Sequence, residues 1–500
     1  MQPKKTNKSG QQKRNPPSEK ARGPKRPDKT SMPKPRPERS SGPRDQNEDR
    51  PRNKNEGRSR NQNEDKPRNN NEGKPRVARP DHNQQSLPKK EHYERGPFKG
   101  PTRPYDANKL KSKTDDERVQ LPSEIKLPTP LVNAWRETLI KISKLPPGTN
   151  PKDENRNALA GRILASQSSD ISHLWETFTT ERGELIKNLL STKRMAAAYL
   201  GGFHLANAAR VQMLLDRAEK RSNLKNVVVK HGGHLVWNDF GCGTGAIAQT
   251  IAAKMVAWKP DMSADFHLTD TTATLLDIAE LATRSSAPNF KVLKHKKAIE
   301  LSSIESMMKG KDHTLFGYSL GYVWNELKKN KKAQRHLLDL FNQHIANKHE
   351  VLIVILEPAN QIIARDAMTL RNDLVAQGYS PVYPCPSSKS CPMLERSRDW
   401  CFSEGSWTSP LLMQNIEKNL GIDRSRFSTS AYLFASPALS GKILPTGKMP
   451  PVVVGRPQKI SEKGLPIRGF EMLLCDGDKL FKKPGSTGKN FLMRGQQSNS

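Results

Sequence analysis

Two groups of residues in this 500-residue chain have types and spacings that could do chemistry. The first is the run Asp239-Phe240-Gly241-Cys242-Gly243-Thr244-Gly245, which follows the apolar stretch HLVWN and leads into AIAQTIAAKM. Glycines at alternate positions permit positive φ and remove the Cβ atoms that would keep a ligand away from a helix amino terminus. The second group is four of the five cysteines: Cys385, Cys391, Cys401 and Cys475, with five, nine and 73 residues between successive members. Cysteines this sparse do not make a secreted disulfide framework; clustered thiols in a reducing compartment point to metal binding or catalysis. Soft thiolates take zinc or iron-sulfur. Zinc knuckles usually show Cys-x-x-Cys pairs, and the wider gaps here, with the Cys385-Pro386 and Cys391-Pro392 steps, suit a larger cluster. Iron-sulfur therefore ranks first, zinc second and a nucleophilic cysteine third.

A dinucleotide site would ask for G-x-G-x-x-G to receive a pyrophosphate. The spacing here is G-x-G-x-G, preceded two residues earlier by an acid, which resembles the S-adenosylmethionine loop of class I methyltransferases. That cofactor has no phosphate, so carboxylates take over recognition: Asp239 near the methionine end, and Asp270, closing the segment DFHLTD, for the ribose hydroxyls. Asp270 lies 25 residues beyond Gly245, about what a β-α-β unit needs. The plainer alternative is a glycine turn that only packs strand on helix. Cys242 reads as a small packing residue rather than a reactive thiol. The Asn-Pro-Pro-aromatic motif of base-amino methyltransferases is missing, and Glu326 and Glu357 read as ordinary acids at strand ends.

These residues must be positioned by an α/β fold. From 227 to 440 short apolar runs alternate with helical stretches, which predicts a parallel sheet covered on both faces. The expected strands are His234–Asp239, Asp265–Thr269, Thr314–Tyr318, Val351–Glu357 and Ser430–Ala435, with a cysteine insertion at 381–407. Before it, residues 121–226 have helical apolar spacing (LVNAWRETLIKIS, HLWETFTTERGELIKNLL, MAAAYLGGFHLANAARVQMLLDRA) and predict a helical cap. After it, residues 441–500 predict a small β extension turning at Asp476-Gly477. Residues 1–120 are rich in Pro, Asn, Gln, Lys and Arg and carry an eight-residue repeat in four copies from Gln46 to Val77. Such a tail has too little apolar surface to offset the entropy of ordering and is expected to be disordered. The formal charge of +33 calls for a polyanionic partner, nucleic acid first. No apolar run reaches a membrane span. The start MQPKKTNKSGQQKRNPP lacks the pattern of a mitochondrial presequence, which predicts a cytoplasmic, bacterial-type protein.

Several separated segments, in order, resemble the methyltransferase-like small-ribosomal-subunit proteins of mitochondria and bacteria, a family that includes methyltransferase-like protein seventeen. The carriers are AAAYLGGFHLANAARVQ, NDFGCGTGAIAQ, LGYVWNEL, VLIVILEPAN, CPSSKSCP, DWCF and FSTSAYLFASP, within residues 125–480. The resemblance implies a class I S-adenosylmethionine methyltransferase (Rossmann-like) fold. It implies that Asp239, Gly241, Cys242, Gly243, Thr244, Gly245 and Asp270 line the cofactor site, and that Cys385, Cys391, Cys401 and Cys475 hold a 4Fe-4S cluster. It further implies a protein that binds small-subunit rRNA and ribosomal proteins as a monomer during assembly, the alternative being an active rRNA methyltransferase. Ser387 and Phe402 stand where family members often carry histidines.

Overall fold

The run LVWNDF forms β1 (Leu235–Phe240), every residue of which is buried. Alternate side chains divide between the two faces: Leu235 and Trp237 enter one apolar layer, Val236 and Phe240 the other. The structure, a computed structural model, describes residues 125–148, 150, 155–180, 189–310, 313–455, 458–460, 469–485 and 494–497. The repeat and the rest of the basic tail lie outside the described residues.

Around β1 stand β2 (Asp265–Asp270), β3 (Lys291–Lys296), β4 (Leu315–Gly321), β5 (Glu350–Pro358), β6 (Ser380–Tyr383), β7 (Ser403–Ser406) and β8 (Arg426–Ala435). Their order across the sheet is β3-β2-β1-β4-β5-β8-β6, with β7 also paired to β8. The first five are parallel, as expected. The sheet as a whole is mixed, which corrects the expectation of a purely parallel one: β8 runs antiparallel to β5, β6 and β7. Its inserted, reversed position lets the chain return along the sheet without another crossover helix. β3, β6 and β7 also had no place among the expected strands. KVLKHK has only two apolar residues among three lysines because β3 is an edge strand, largely exposed or half-buried, and β6 and β7 are four residues each.

Helices before the sheet form the expected cap: α1 (Thr129–Ile142), α2 (Arg156–Ser166), α3 (Ser168–Thr180) and α4 (Lys193–Arg221). The Thr192 side chain caps α4 at the Met195 amide. Midway, Gly201 and Gly202 let neighbours approach: added Cβ atoms would lie 2.8 Å from a Leu164 methyl and 2.7 Å from an Ile171 methyl. Two mid-helix glycines cost about 1 kcal/mol each against alanine, and the tight seating of α2 and α3 on α4 offsets this. Among the described residues no helix is long and apolar enough to cross a membrane. The sheet helices α5 (Ala246–Trp258), α6 (Ala273–Ser286), α7 (Lys331–Ala346) and α8 (Gln361–Ala376) follow β1, β2, β4 and β5. α9 (Leu411–Asn419) packs on α2. At the carboxyl end, β9 (Val452–Val453), β10 (Gln458–Ile460), β11 (Gly469–Cys475) and β12 (Leu480–Gly485) form a second sheet. It turns at Asp476-Gly477 as expected, with Gly477 at φ 93°.

Candidate functional site

The loop after β1 takes its shape from three left-handed glycines with different duties. Gly241, Gly243 and Gly245 have φ of 59°, 53° and 78°. A Cβ on Gly241 would stand 2.5 Å from a Val323 methyl, and one on Gly245 would stand 2.8 Å from the Ala279 backbone on α6. These two close the loop onto its neighbours. A Cβ on Gly243 would meet nothing nearer than the Tyr199 ring at 3.9 Å, so this glycine faces open space. Cys242 is buried in the apolar layer with Ile247 and Ala248, and burial pushes its thiol far above the ordinary range, so it packs. Asp270, expected to face a ribose, holds the loop itself: Oδ2 accepts from the Gly243 amide at 3.0 Å and Oδ1 from the Thr272 amide at 2.8 Å. The Thr272 side chain and the Thr271 amide add to these contacts, and burial still pushes the carboxyl up.

Asp239 is 1% exposed. Parallel register sets it beside Ser319 of β4. The Trp237 indole donates to Ser319 Oγ at 3.1 Å, and the Ser319 hydroxyl donates to Asp239 Oδ1 at 2.5 Å. Asp239 Oδ2 is buried with no hydrogen-bond partner. Burial pushes this carboxyl up to about 7, against the pull of the Ser319 hydrogen bond and the Ala248 amide. An orphaned buried carboxylate oxygen calls for a cation or donor to complete it. Thr244, by contrast, is tied to the cap: it pairs with His204 Nδ1 at 3.0 Å, and His204 Nε2 lies 2.5 Å from Gln249 Oε1. Gln249 Nε2 donates to Ser286 Oγ at 2.9 Å, so its oxygen faces the imidazole as acceptor. His204 is therefore the neutral Nε2–H tautomer, and burial holds its pKa down at about 4.

Over this loop α4 presents Tyr199 and Phe203, stacked at 5.3 Å, and Asn207, which accepts from the Tyr322 hydroxyl at 3.2 Å. Tyr322, directly after β4, has φ 65°, a left-handed conformation that is uncommon outside glycine. Glu357 is buried and anchors the next turn by accepting from the Asn325 amide at 3.2 Å; burial pushes its carboxyl up to about 8. Sequence reasoning missed Ser319, His204, Gln249 and Tyr322. The helical pattern of α4 was legible, but nothing in it marked which face meets the loop.

The structure brings the four distal cysteines to one neighbourhood. Cys391, Cys401 and Cys475 share an apolar cluster with Met368, Met393 and Val452. Burial raises Cys401 far above the ordinary thiol range, and the charges of Cys385, Cys391 and Cys475 add to the effect. Cys475 is pushed up to about 12 by burial, with Cys385 and Cys391 again contributing. The Gly477 amide donates to Cys475 Sγ at 3.4 Å, and the same turn lies against Ser387. This donor set has the right chemistry for a soft metal group. Among the described residues, however, no three His, Cys, Asp or Glu side chains are arranged to hold a metal ion.

Three arginines, unexpected from sequence, hold the loop that carries these cysteines. Arg221 of α4 donates to Pro384 O at 2.6 Å and Cys385 O at 3.2 Å. Arg371 of α8 donates to Ser387 O at 2.6 Å and to Lys389 O. Arg365, further back on α8, donates to Leu394 O, Arg396 O and Asp399 O at 3.1, 2.8 and 2.6 Å.

Strand order, the reversed β8 and a glycine loop after the first strand define a class I S-adenosylmethionine methyltransferase fold. The family model described as mitochondrial small ribosomal subunit Rsm22 matches residues 221–478. That is more than half of the chain, and the chain belongs to this family. The match corrects the expectation of a cytoplasmic, bacterial-type protein, because the family is described as mitochondrial. Among solved structures the chain is similar to a putative class I S-adenosylmethionine-dependent methyltransferase from Listeria monocytogenes. The two are 11% identical with a TM-score of 0.31, over 64% of this chain and 91% of that one. It is also similar to a putative RNA methyltransferase from Pyrococcus horikoshii (10%, TM-score 0.25, 46% and 83%) and to a human methyltransferase 10 domain-containing protein (10%, TM-score 0.23, 46% and 81%). No curated protein sequence matches the chain significantly.

Proposed function

We propose that this protein is an assembly factor of the small ribosomal subunit that binds rRNA on a methyltransferase fold, holds S-adenosylmethionine at the glycine loop and carries a 4Fe-4S cluster. The observation that carries the reading is the pairing at β1: Asp239 has an orphaned buried oxygen, and Gly243 beside it is open. An S-adenosylmethionine ammonium would satisfy the first, and its approach needs the second. Asp239, Gly241, Gly243, Gly245 and Asp270 hold the cofactor in this reading, with Cys242 and Thr244 bracing the loop from behind. Binding is favoured over turnover because β4 is followed by Tyr322-Val323-Trp324-Asn325, where base-amino methyltransferases place their catalytic motif.

Cys385, Cys391, Cys401 and Cys475 are the cluster ligands in this reading. Four thiols share one neighbourhood, a soft donor set, and the wide spacing of Cys385, Cys391 and Cys401 along the chain favours iron-sulfur over a zinc knuckle. The cluster would join the insertion to the β9–β12 sheet. The test compares subunit profiles and rRNA methylation in cells carrying Gly243→Val or a cysteine variant. Assembly restored at least partly by the loop variant, and lost with the cysteine variants, supports the scaffold. Loss of assembly and of one rRNA methyl group together in the loop variant, with mild cysteine variants, replaces it by the enzyme.

A further inference from the structure

A cleft of about 1140 Å³ opens at the end of the sheet opposite the glycine loop, where β1, β4 and β5 begin. The six residues of β1 put it roughly 20 Å from the cofactor loop, at about 3.3 Å per residue. Its volume exceeds the roughly 300–1,000 Å³ of most small-molecule pockets. Three lysines and three histidines line it: Lys230, Lys348, Lys442, His231, His313 and His349. Glu350 is the single carboxylate among the described lining residues, and it is already engaged by His231 at 3.1 Å and by Lys442. Lys230 and Lys348 are exposed and have no ion-pair partner among the described residues. A lysine at a helix carboxyl terminus complements the helix dipole, which accounts for Lys230, for Lys442 and for Lys348 just past the end of α7, but not for the three histidines.

The histidines are held in place. His349 stacks on Phe316 with centroids 5.1 Å apart, and its Nδ1 lies 2.9 Å from Nδ1 of His344, whose Nε2 meets the Tyr318 hydroxyl at 2.5 Å. A flat imidazole fixed through two buried partners is a platform for a stacked ring. His313 and Lys348 have left-handed backbones, φ 58° and 54°, and are two of the three such non-glycine residues among those described. Backbone held in a sparsely populated region collects at binding sites.

We propose that this cleft is a second RNA-contact site: single-stranded RNA lies in it with phosphates against Lys230 and Lys348 and a base against the His349 ring. The choice of RNA as the polyanion rests on the small-subunit reading above; the place of binding rests on the cleft itself. Ammoniums neutralise phosphates without reading sequence, and imidazole faces stack on unpaired bases.

The test uses the full chain, fluorescein-labelled decauridine and small-subunit rRNA, with affinity followed against salt by anisotropy. Lys230→Glu with Lys348→Glu should weaken decauridine binding roughly tenfold and flatten the log–log salt slope by about 1.4, at about 0.7 for each phosphate no longer neutralised. Lys230→Gln with Lys348→Gln should weaken binding less, in the same direction. The control pair Lys141→Glu with Lys418→Glu, exposed on α1 and α9, makes the same charge change and should stay within about twofold of the parent. Crosslinks from 4-thiouridine should fall in 223–233 and 346–350. Equal weakening by both charge-reversed pairs, crosslinks wholly elsewhere, or complete displacement by millimolar AMP or inorganic phosphate overturns the proposal. A parent that binds rRNA while the cleft variants match it overturns the cleft alone; a parent that binds neither RNA overturns the small-subunit reading as well.

Discussion

Binding of S-adenosylmethionine at β1 should expel a proton from Asp239. Its carboxyl ordinarily titrates at 3.8 and stands at about 7 in the folded protein, a difference of roughly three units, on the order of 4 kcal/mol. The folded state thus holds a proton that the unfolded chain releases above 3.8. The resulting stability penalty is absent below pH 3.8, grows as pH rises and is complete above about 7. A cation beside Oδ2 favours the ionised form, so below about pH 7 the ligand must displace that proton. Affinity should rise about tenfold per pH unit from roughly 5.5 to near 7, then level until the ligand's own α-ammonium titrates at roughly 7.7–8.0. Calorimetry at about pH 6 in two buffers of different ionisation heat should read about 0.9 proton released per ligand bound. Asp239→Asn should abolish the release and should raise the melting temperature at about pH 8, since a neutral isostere removes the buried charge. A flat affinity across that acidic range, or proton release that persists in Asp239→Asn, refutes the assignment of Asp239 to the ligand ammonium.

Gly243→Val should fold with a loss of about 1–2 kcal/mol from its left-handed backbone yet lose cofactor binding by calorimetry, whereas Gly245→Val should fail to fold because its Cβ meets the Ala279 backbone at 2.8 Å. Replacing Cys385, Cys391, Cys401 or Cys475 singly by Ser should abolish the brown chromophore of anaerobically purified protein and lower the melting temperature; zinc in place of iron would sink the cluster reading. Arg371→Met should destabilise the protein by about 1–3 kcal/mol in urea titration, since two partly buried carbonyls lose a charged donor; a change under about 0.5 kcal/mol would show the clamp to be dispensable. Removing residues 1–118 should flatten the salt dependence of RNA binding without changing which RNA is preferred.

The sheet was legible where strands are buried on both faces: VLIVILEP is apolar throughout most of its length because β5 lies between β4 and β8. It was illegible at the edges, where KVLKHK carries at least as many charges as apolar residues, and in the four-residue β6 and β7. The glycine loop was legible because its spacing serves the backbone directly. What the sequence did not show is division of labour within it: Gly243 faces open space, Asp270 also accepts from the loop's own amide, and Asp239 is paired with Ser319, 80 residues away. Neighbourhoods made by parallel register join residues that no local pattern relates. The four cysteines showed themselves by type; the arginines around them did not, since a guanidinium on a helix ordinarily reads as a solvated side chain.

Those arginines act on the main chain. Arg221, Arg365 and Arg371 donate to seven carbonyls between Pro384 and Asp399, and a carbonyl is the same whatever residue bears it. The path of this loop is therefore specified from outside, by two helices that belong to the sheet and cap. Its exposed side chains are left free to drift in identity, apart from the cysteines, without moving the points through which the backbone must pass, while Met393 stays fixed in the apolar cluster. Substitutions at Ser387, Lys389 or Arg396 should be absorbed, while the instructions for the loop's shape sit in α4 and α8, where a reader of the loop would not look for them.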